Sequence, residues 1–308
     1  MITTVTLNPA IDKTVHVPSL EIAQLNRISH VHVVYAGKGI NVAKGISHLG
    51  HSVTASGFLY SEDIQAATSA LEKEGIIVDF VICPGHTRIN TKVFDMKHKN
   101  VTELNENGVE TSQEYIDSLI NKIVDLSKSS KYLILSGSLP PKCPADIYAQ
   151  LIEKVKPNCE VILDASNAAL SEGIKAKPKM IKPNKDELIA LVGHDLKNIE
   201  EIKNAAIDLV NQGIEIVCVS LGHEGAIITD GKASYFAPVV HVQVKGTVCA
   251  GDSMVAGLCV GFSEGLSLKE AFRKGVAAAT ACVMQEGSQV VTKELLEQVI
   301  NRVEIQDI

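Results

Sequence analysis

The chain has no tryptophan, and aromatic residues make up only 4% of it. Stacking platforms for nucleic-acid bases are therefore not expected. Positive charge is in short supply as well: 29 Lys and Arg stand against 36 Asp and Glu, and a net charge of −7 argues against a nucleic-acid footprint. No apolar run reaches the length of a membrane span. The opening Met1-Ile2-Thr3-Thr4-Val5 has neither a basic stretch nor the apolar core of a secretion signal. Seven cysteines are scattered without a CxxC pair, at 83, 143, 159, 218, 249, 259 and 282. An odd count with no signal reads as reduced thiols in the cytoplasm. GxxxxGK[ST] and a completed GxGxxG are both missing, which removes the P-loop and the dinucleotide-dehydrogenase readings. His30 and His32, and His48 and His51, lie close in pairs, but no Cys or carboxylate pattern completes a metal site. No linker, low-complexity tract or fixed repeat divides the chain.

With 308 residues, 45% of them apolar, the chain can bury a large core. Strand and helix patterns alternate along it. Strands are expected at 2–7, 53–59, 76–83, 132–135, 160–164, 180–182 and 214–220. Helices are expected at 41–49, 64–73, 145–155, 185–191, 199–210, 251–262, 268–284 and 293–303. Thr111-x-x-Glu114 reads as a capping box before one more helix, to about 126. A hairpin is expected at 226–229 and 233–236. The alternation implies an α/β fold with a mostly parallel sheet, helices on both faces and functional residues at the carboxyl ends of strands. Short strands of mixed polarity at 14–17, 31–34, 90–96 and 101–105 break the alternation. They are expected to form a small separate sheet, a lid or an association surface, from about 12–35 and 88–106.

Chemistry concentrates in Thr247-Val248-Cys249-Ala250-Gly251-Asp252-Ser253. The alternating run 241–244 before it reads as a strand end, and the apolar run after it as a helix. A small-residue turn at a helix start leaves backbone N–H groups unpaired and makes an anion site. An aspartate in a turn that only held a phosphate would repel it. It makes sense if Asp252 takes the proton of a hydroxyl attacking a phosphoryl group, with the amides of Ala250 and Gly251 stabilising the developing charge. The plain alternative is a carboxylate that complements the helix dipole. Cys249 is expected to border this anion site, where a helix start can also lower a thiol's pKa and raise its reactivity. In Ala36-Gly37-Lys38-Gly39-Ile40-Asn41, the two glycines let a ligand approach the backbone while Lys38 and Asn41 supply a cation and an amide, although a lone GxG is also an ordinary turn.

Gly37-Lys38-Gly39-Ile40-Asn41 and Ala250-Gly251-Asp252-Ser253 together resemble the two signatures of the PfkB carbohydrate kinase family, which has the ribokinase-like fold. Thr6-Leu7-Asn8-Pro9-Ala10-Ile11-Asp12, Ser136-Gly137-Ser138-Leu139-Pro140-Pro141, Lys182-Pro183-Asn184-Lys185-Asp186-Glu187 and Ser220-Leu221-Gly222-His223-Glu224-Gly225 resemble further family segments in the same order. The match runs over nearly the whole chain and is closest to the family's sugar-phosphate kinases. One departure stands out: Cys249 occupies a position where the family commonly has glycine, a steric cost if that position needs a positive φ.

The resemblance implies an ATP-dependent kinase using magnesium, with Asp252 as base. It implies sugar contacts from Asp12, Gly37, Lys38, Gly39 and Asn41, and nucleotide contacts from Lys182, Asn184, Ser220, Gly222, Gly225, Val248 and Gly251. Glu187 would act on magnesium through water. A sugar phosphate carries a second anion, and period two places Arg88, Asn90 and Lys92 on one strand face to clamp it. Arg27 and Ser138 are weaker candidates for the same site. The 36–44 and 87–92 segments resemble the branch that uses fructose 1-phosphate, phosphorylated at its 6-hydroxyl; tagatose 6-phosphate is the alternative acceptor. A homodimer through the small sheet is expected. Cys259, Cys282 and Met284 read as core, or at most as wall of an adenine pocket.

Overall fold

The structure is a computed structural model and describes residues 1–308. The chain runs through β1 (Ile2–Thr6), β2 (Ala10–Val17), β3 (His30–Ala36), α1 (Lys38–His48), β4 (Val53–Tyr60), α2 (Ile64–Lys73), β5 (Ile77–Val78) and β6 (Val81–Cys83). Then come β7 (Arg88–Asp95), β8 (Asn100–Asn105), α3 (Gln113–Ser127), β9 (Tyr132–Ser136), α4 (Ile147–Val155), β10 (Glu160–Asp164) and α5 (Asn167–Gly173). The last part holds β11 (Met180–Ile181), α6 (Lys185–Val192), α7 (Ile199–Asn211), β12 (Ile216–Ser220), β13 (Ala226–Thr229), β14 (Ser234–Ala237), α8 (Ala250–Ser263), α9 (Leu268–Val283), α10 (Lys293–Val299) and β15 (Gln306–Asp307).

Eleven strands form the large sheet, in the order β15-β14-β13-β12-β11-β10-β9-β1-β4-β5, with β6 also on β4. From β12 across to β4, β5 and β6 every pairing is parallel; only β13, β14 and β15 run antiparallel. Strand side chains alternate between the two faces. In β1, Ile2 enters the core packed by α1, α2, α8, α9 and α10, and Val5 enters the one packed by α3 to α7. The two cores are of nearly equal size, 37 and 35 buried residues, so the sheet is the middle of three layers. The chain leaves β1 towards β4 on one side and returns to β9 on the other. This reversal puts a crevice at the carboxyl ends of β1 and β9.

The second sheet has four strands in the order β3-β2-β7-β8. Pairing Ala10 with both Ala36 and Arg88, and Asp12 with both Val34 and Asn90, places Asp12, Arg88, Asn90 and Lys92 on one face. β2 follows β1 after only Leu7, Asn8 and Pro9, so this sheet starts at the mouth of the crevice.

Several sequence expectations need correction. Residues 241–244 form no strand, because their alternation finds no neighbouring strand to bond. The expected strand 76–83 is broken into β5 and β6, both on β4, with Asp79 donating its N–H to Ala55 O between them. α1 begins at Lys38 rather than residue 41, so the glycine-rich segment is itself the helix start. The N-cap of α3 is Ser112, whose side chain makes no cap bond, so Thr111 and Glu114 form no capping box. α5 and β15 were not expected at all; both are too short to show a period. Cys259 and Cys282 are core residues, at 0% and 1% exposure. No helix is long and apolar enough to cross a membrane.

Candidate active site

Two helix starts converge at the crevice. α1 follows Gly37, whose φ of +134° is open to glycine but strained for other residues. Its first turn lies hard against β1: a Cβ on Gly39 would sit 2.7 Å from Val5 O. This close approach brings Asn41, one turn in, towards α8. Asn41 Nδ2 donates to Asp252 Oδ2 at 2.8 Å, and also approaches Cys249 Sγ at 3.4 Å. In the first turn of α8 the N–H groups of Gly251 and Asp252 have no acceptor, and that of Ala250 reaches Thr247 O only at 3.4 Å. Unpaired donors and the positive ends of two helix dipoles therefore face one volume.

Cys249 is the N-cap of α8, with φ +65° and ψ 3°. The left-handed conformation suspected from the sequence is thus realised on a non-glycine residue, at a typical cost of about 1–2 kcal/mol. Cys249 does border the α8 start, but its surroundings do not favour a lowered pKa. Cys249 is buried, and burial pushes its pKa well up, with Asp252 and Cys282 adding in the same direction. The helix start does not offset that desolvation.

Asp252 is 6% exposed. Burial raises its pKa to about 6; Lys38 pulls it down, Asp164 pushes it up, and the Asn41 bond and Lys182 pull it down again. A carboxylate so placed is a stronger proton acceptor than an ordinary aspartate and remains mostly ionised at neutral pH.

Asp164 was missed as a functional residue. It ends β10 and is fully buried, 3.5 Å from Lys38 Nζ and 3.2 Å from Lys182 Nζ. Burial alone would raise its pKa, but Lys182 and then Lys38 overcome that and hold it below the ordinary range. In turn Asp164 is the main reason the Lys38 pKa is raised. One anion thus holds two cations beside the α8 start, and a Cβ on Gly251 would meet Lys182 Nζ at 3.3 Å. The signal was available in sequence: a carboxylate closing an apolar run at the carboxyl end of a parallel strand.

On the small sheet, Asp12 is the hub. Its Oδ1 accepts Asn90 Nδ2 at 3.1 Å, and its Oδ2 accepts Lys92 Nζ at 2.8 Å and Ser288 Oγ at 2.9 Å. These partners outweigh burial and hold its pKa down. Lys92, expected as a free phosphate cation, is instead 8% exposed and paired with Asp12. The Arg88 guanidinium donates to the carbonyls of Asn8, Pro9 and Glu106 at 3.0–3.3 Å. Ser138 follows β9 and reaches Asn8 Nδ2 at 3.4 Å, which ties the β9 loop to the same corner. Arg27 lies in the exposed connection before β3 and makes no side-chain bond. Ser288 and Asn8 were also missed; Ser288 follows α9 and nothing local marks it.

At the other end, Asn184 caps α6. Its side chain accepts Glu187 N at 2.8 Å, and Glu187 Oε2 accepts Asn184 N at 2.9 Å. These two bonds make a capping box. One Glu187 oxygen is therefore engaged at home. Asn184 forms a bridge to Ser220 at the end of β12, and Gly222 and Gly225 follow in the next turn. Val248 precedes the α8 cap and its carbonyl accepts Cys282 Sγ at 3.3 Å. Nowhere do three His, Cys, Asp or Glu side chains gather as a metal cage.

Residues 5–294 match the model of the pfkB family carbohydrate kinases. The chain belongs to this family. It is 35% identical over 306 residues to a 1-phosphofructokinase of Bacillus subtilis, covering 99% of both chains. It is 34% identical to a 1-phosphofructokinase of Haemophilus influenzae, covering 99% of this chain and 97% of the relative. Phosphofructokinase-2 from Escherichia coli, solved in complex with potassium, superposes with a TM-score of 0.93 at 30% identity and 98% coverage of both chains. A tetrameric inhibited form of the same protein superposes at 0.90. The pfkB assignment makes the chain a sugar kinase, with ATP implied as phosphoryl donor, and gives it the ribokinase-like architecture expected from the sequence.

Proposed function

We propose that the chain transfers the γ-phosphoryl group of ATP to the 6-hydroxyl of fructose 1-phosphate, giving fructose 1,6-bisphosphate. The observation that carries this reading is Asp252: a buried carboxylate, oriented by Asn41 at 2.8 Å, in the first turn of a helix whose N–H groups are unpaired. Asn41 spends Nδ2 on Asp252, which leaves Asp252 Oδ1 to take the proton of the attacking hydroxyl. Asn41 Oδ1 is buried without a partner, as suits an acceptor for a second sugar hydroxyl. The amides of Gly251 and Asp252, with Lys38 and Lys182 nearby, balance the charge that spreads over the phosphoryl oxygens.

Asp12 and Asn41 hold sugar hydroxyls, with Gly37 and Gly39 close by. Arg88 and Asn90 serve the sugar's own phosphate, helped by Ser138, while Lys92 acts mainly through Asp12. Lys182, Asn184, Ser220, Gly222, Gly225 and Val248 line the nucleotide side. Magnesium would come with ATP, and the second carboxylate oxygen of Glu187, free of the capping bond, would hold it through water. The seven free cysteines support a place in the reducing cytoplasm.

The acceptor is supported by the two 1-phosphofructokinases above. Its test is kcat/KM for fructose 1-phosphate, tagatose 6-phosphate and fructose 6-phosphate, measured by coupled ADP release, because this ratio measures discrimination. Fructose 1-phosphate is expected to lead. A ratio in favour of tagatose 6-phosphate would overturn the acceptor and leave the kinase chemistry standing.

The small sheet is also the surface on which we place a homodimer. Its edge strands β3 and β8 have no outer neighbour, and Val31, Val33, Val101 and Leu104 are 45–61% exposed on them. Unpaired edges with apolar side chains favour association. Sedimentation at micromolar concentration should show a dimer that Val33→Lys/Leu104→Lys reduces to a monomer. A parent protein that sediments as a monomer removes the proposal.

A further inference from the structure

Building on the reading of Asp12 as a ligand for the acceptor's hydroxyls, we infer that Ser288 is a positioning residue for the acceptor sugar, acting through Asp12. Ser288 is 276 positions from Asp12 and 196 from Lys92, on the connection between α9 and α10. Its Oγ lies 2.9 Å from Asp12 Oδ2 and 3.0 Å from Lys92 Nζ, and these two are 2.8 Å apart. The three groups form a closed triangle, and all three residues are at most 8% exposed.

A serine hydroxyl has one proton and two lone pairs. The Lys92 ammonium can only donate, so Ser288 accepts from Lys92 and gives its proton to Asp12 Oδ2. Asn90 already holds Oδ1. The carboxylate is thereby fixed at both oxygens. Oδ2 is saturated by two donors, and Oδ1 keeps one lone pair for an acceptor hydroxyl. Without Ser288, Oδ2 would depend on one flexible ammonium and the carboxylate could turn.

The main chain of the same residue reaches the cap of α8. Ser288 O accepts Cys249 Sγ at 3.6 Å, at the N-cap of α8. Ser288 therefore touches the proposed sugar-binding carboxylate with its side chain and, with its backbone carbonyl, the thiol of the residue that caps α8. Asp12 belongs to the small sheet and Cys249 to the large domain, so this residue sets one spacing between acceptor and phosphoryl group. Misplacement by about 1 Å can cost roughly 100-fold in rate.

Steady-state kinetics on the full chain test the role with Ser288→Ala, Ser288→Thr and Asp12→Ala. Loss of a hydrogen bond to a charged group predicts that Ser288→Ala raises KM for fructose 1-phosphate about tenfold. KM for ATP should stay within about twofold, and Ser288→Thr, which keeps the hydroxyl, should restore most of the acceptor KM. If Asp12→Ala raises the acceptor KM and Ser288→Ala does not, the positioning role falls while the site reading stands. If neither moves it, both fall. A rise in both KM values together with a lowered Tm would mark Ser288 as ordinary core filling and overturn the inference.

Discussion

Asp252→Ala is expected to lower kcat by roughly 10²–10⁴-fold, the usual contribution of a general base. Affinity for ATP, followed by nucleotide titration, should change little, because the proposed nucleotide contacts lie on Lys182, Asn184 and the β12 turn. Asp252→Asn is the sharper variant. It keeps the shape of the side chain while removing its ability to take a proton, so it should be nearly as slow. A variant that retains more than about a tenth of the parental kcat would sink the assignment of the base. The same carboxylate sets a pH dependence. Burial holds its pKa at about 6, and the base works only when deprotonated. Thus kcat/KM should be level at neutral pH and fall about tenfold per unit below pH 6. A profile flat down to pH 5 would contradict this.

The second large effect is expected at Asp164. Asp164→Asn leaves Lys182, only 4% exposed, beside a neutral partner. Breaking a buried ion pair from one side typically costs about 3–5 kcal/mol, because the remaining charge stays buried. The Lys38 contact adds little to this, since that side chain is 40% exposed and its partner distance is 3.5 Å. Denaturant unfolding should show the loss as a lower midpoint with an unchanged slope. The acid limb of kcat/KM should move as well. Asp164 pushes the Asp252 pKa up, whereas Lys38 and Lys182 pull it down. Burial still raises it in the variant, but neutralising Asp164 removes the one charge that adds to that rise, so the limb shifts to lower pH. The phosphate of the sugar also titrates near pH 6, but its pKa cannot follow a mutation in the protein. A variant as stable as the parent, with an unmoved limb, would remove Asp164 from the account of the site.

Much of the architecture was legible because it is local. The period of apolar residues distinguishes strand from helix, and it placed β4, β9, β10, α2, α7 and α9 to within a few residues. Alternation failed at 241–244 for a physical reason: a strand is stabilised by its neighbour's hydrogen bonds, and no strand lies alongside there. Helix signals failed at α5, where seven residues are too few to show a face. Lys38 was placed in a turn before the helix. The close contact of Gly39 with Val5 O instead lets α1 begin at Lys38 itself.

The site divides in the same way. Asp252, Asn41, Gly37 and the α8 start could be chosen from sequence because a helix start, its small residues and its carboxylate are consecutive. Period two put Arg88, Asn90 and Lys92 on one face, since a strand repeats every second residue. Where their charges go was a matter of tertiary structure. Lys92 turns to Asp12, and Arg88 to three carbonyls, because the β2–β7 register sets those partners beside them. The family, the order of elements and the carboxylate proposed as the base were thus legible in residues close together in sequence. The pKa of Asp252, the burial of the Cys249 thiol, the two lysines on Asp164 and the Ser288 contact with Asp12 were decided only by folding. Each depends on desolvation or on groups from distant strands and helices, and no pattern within one segment encodes that.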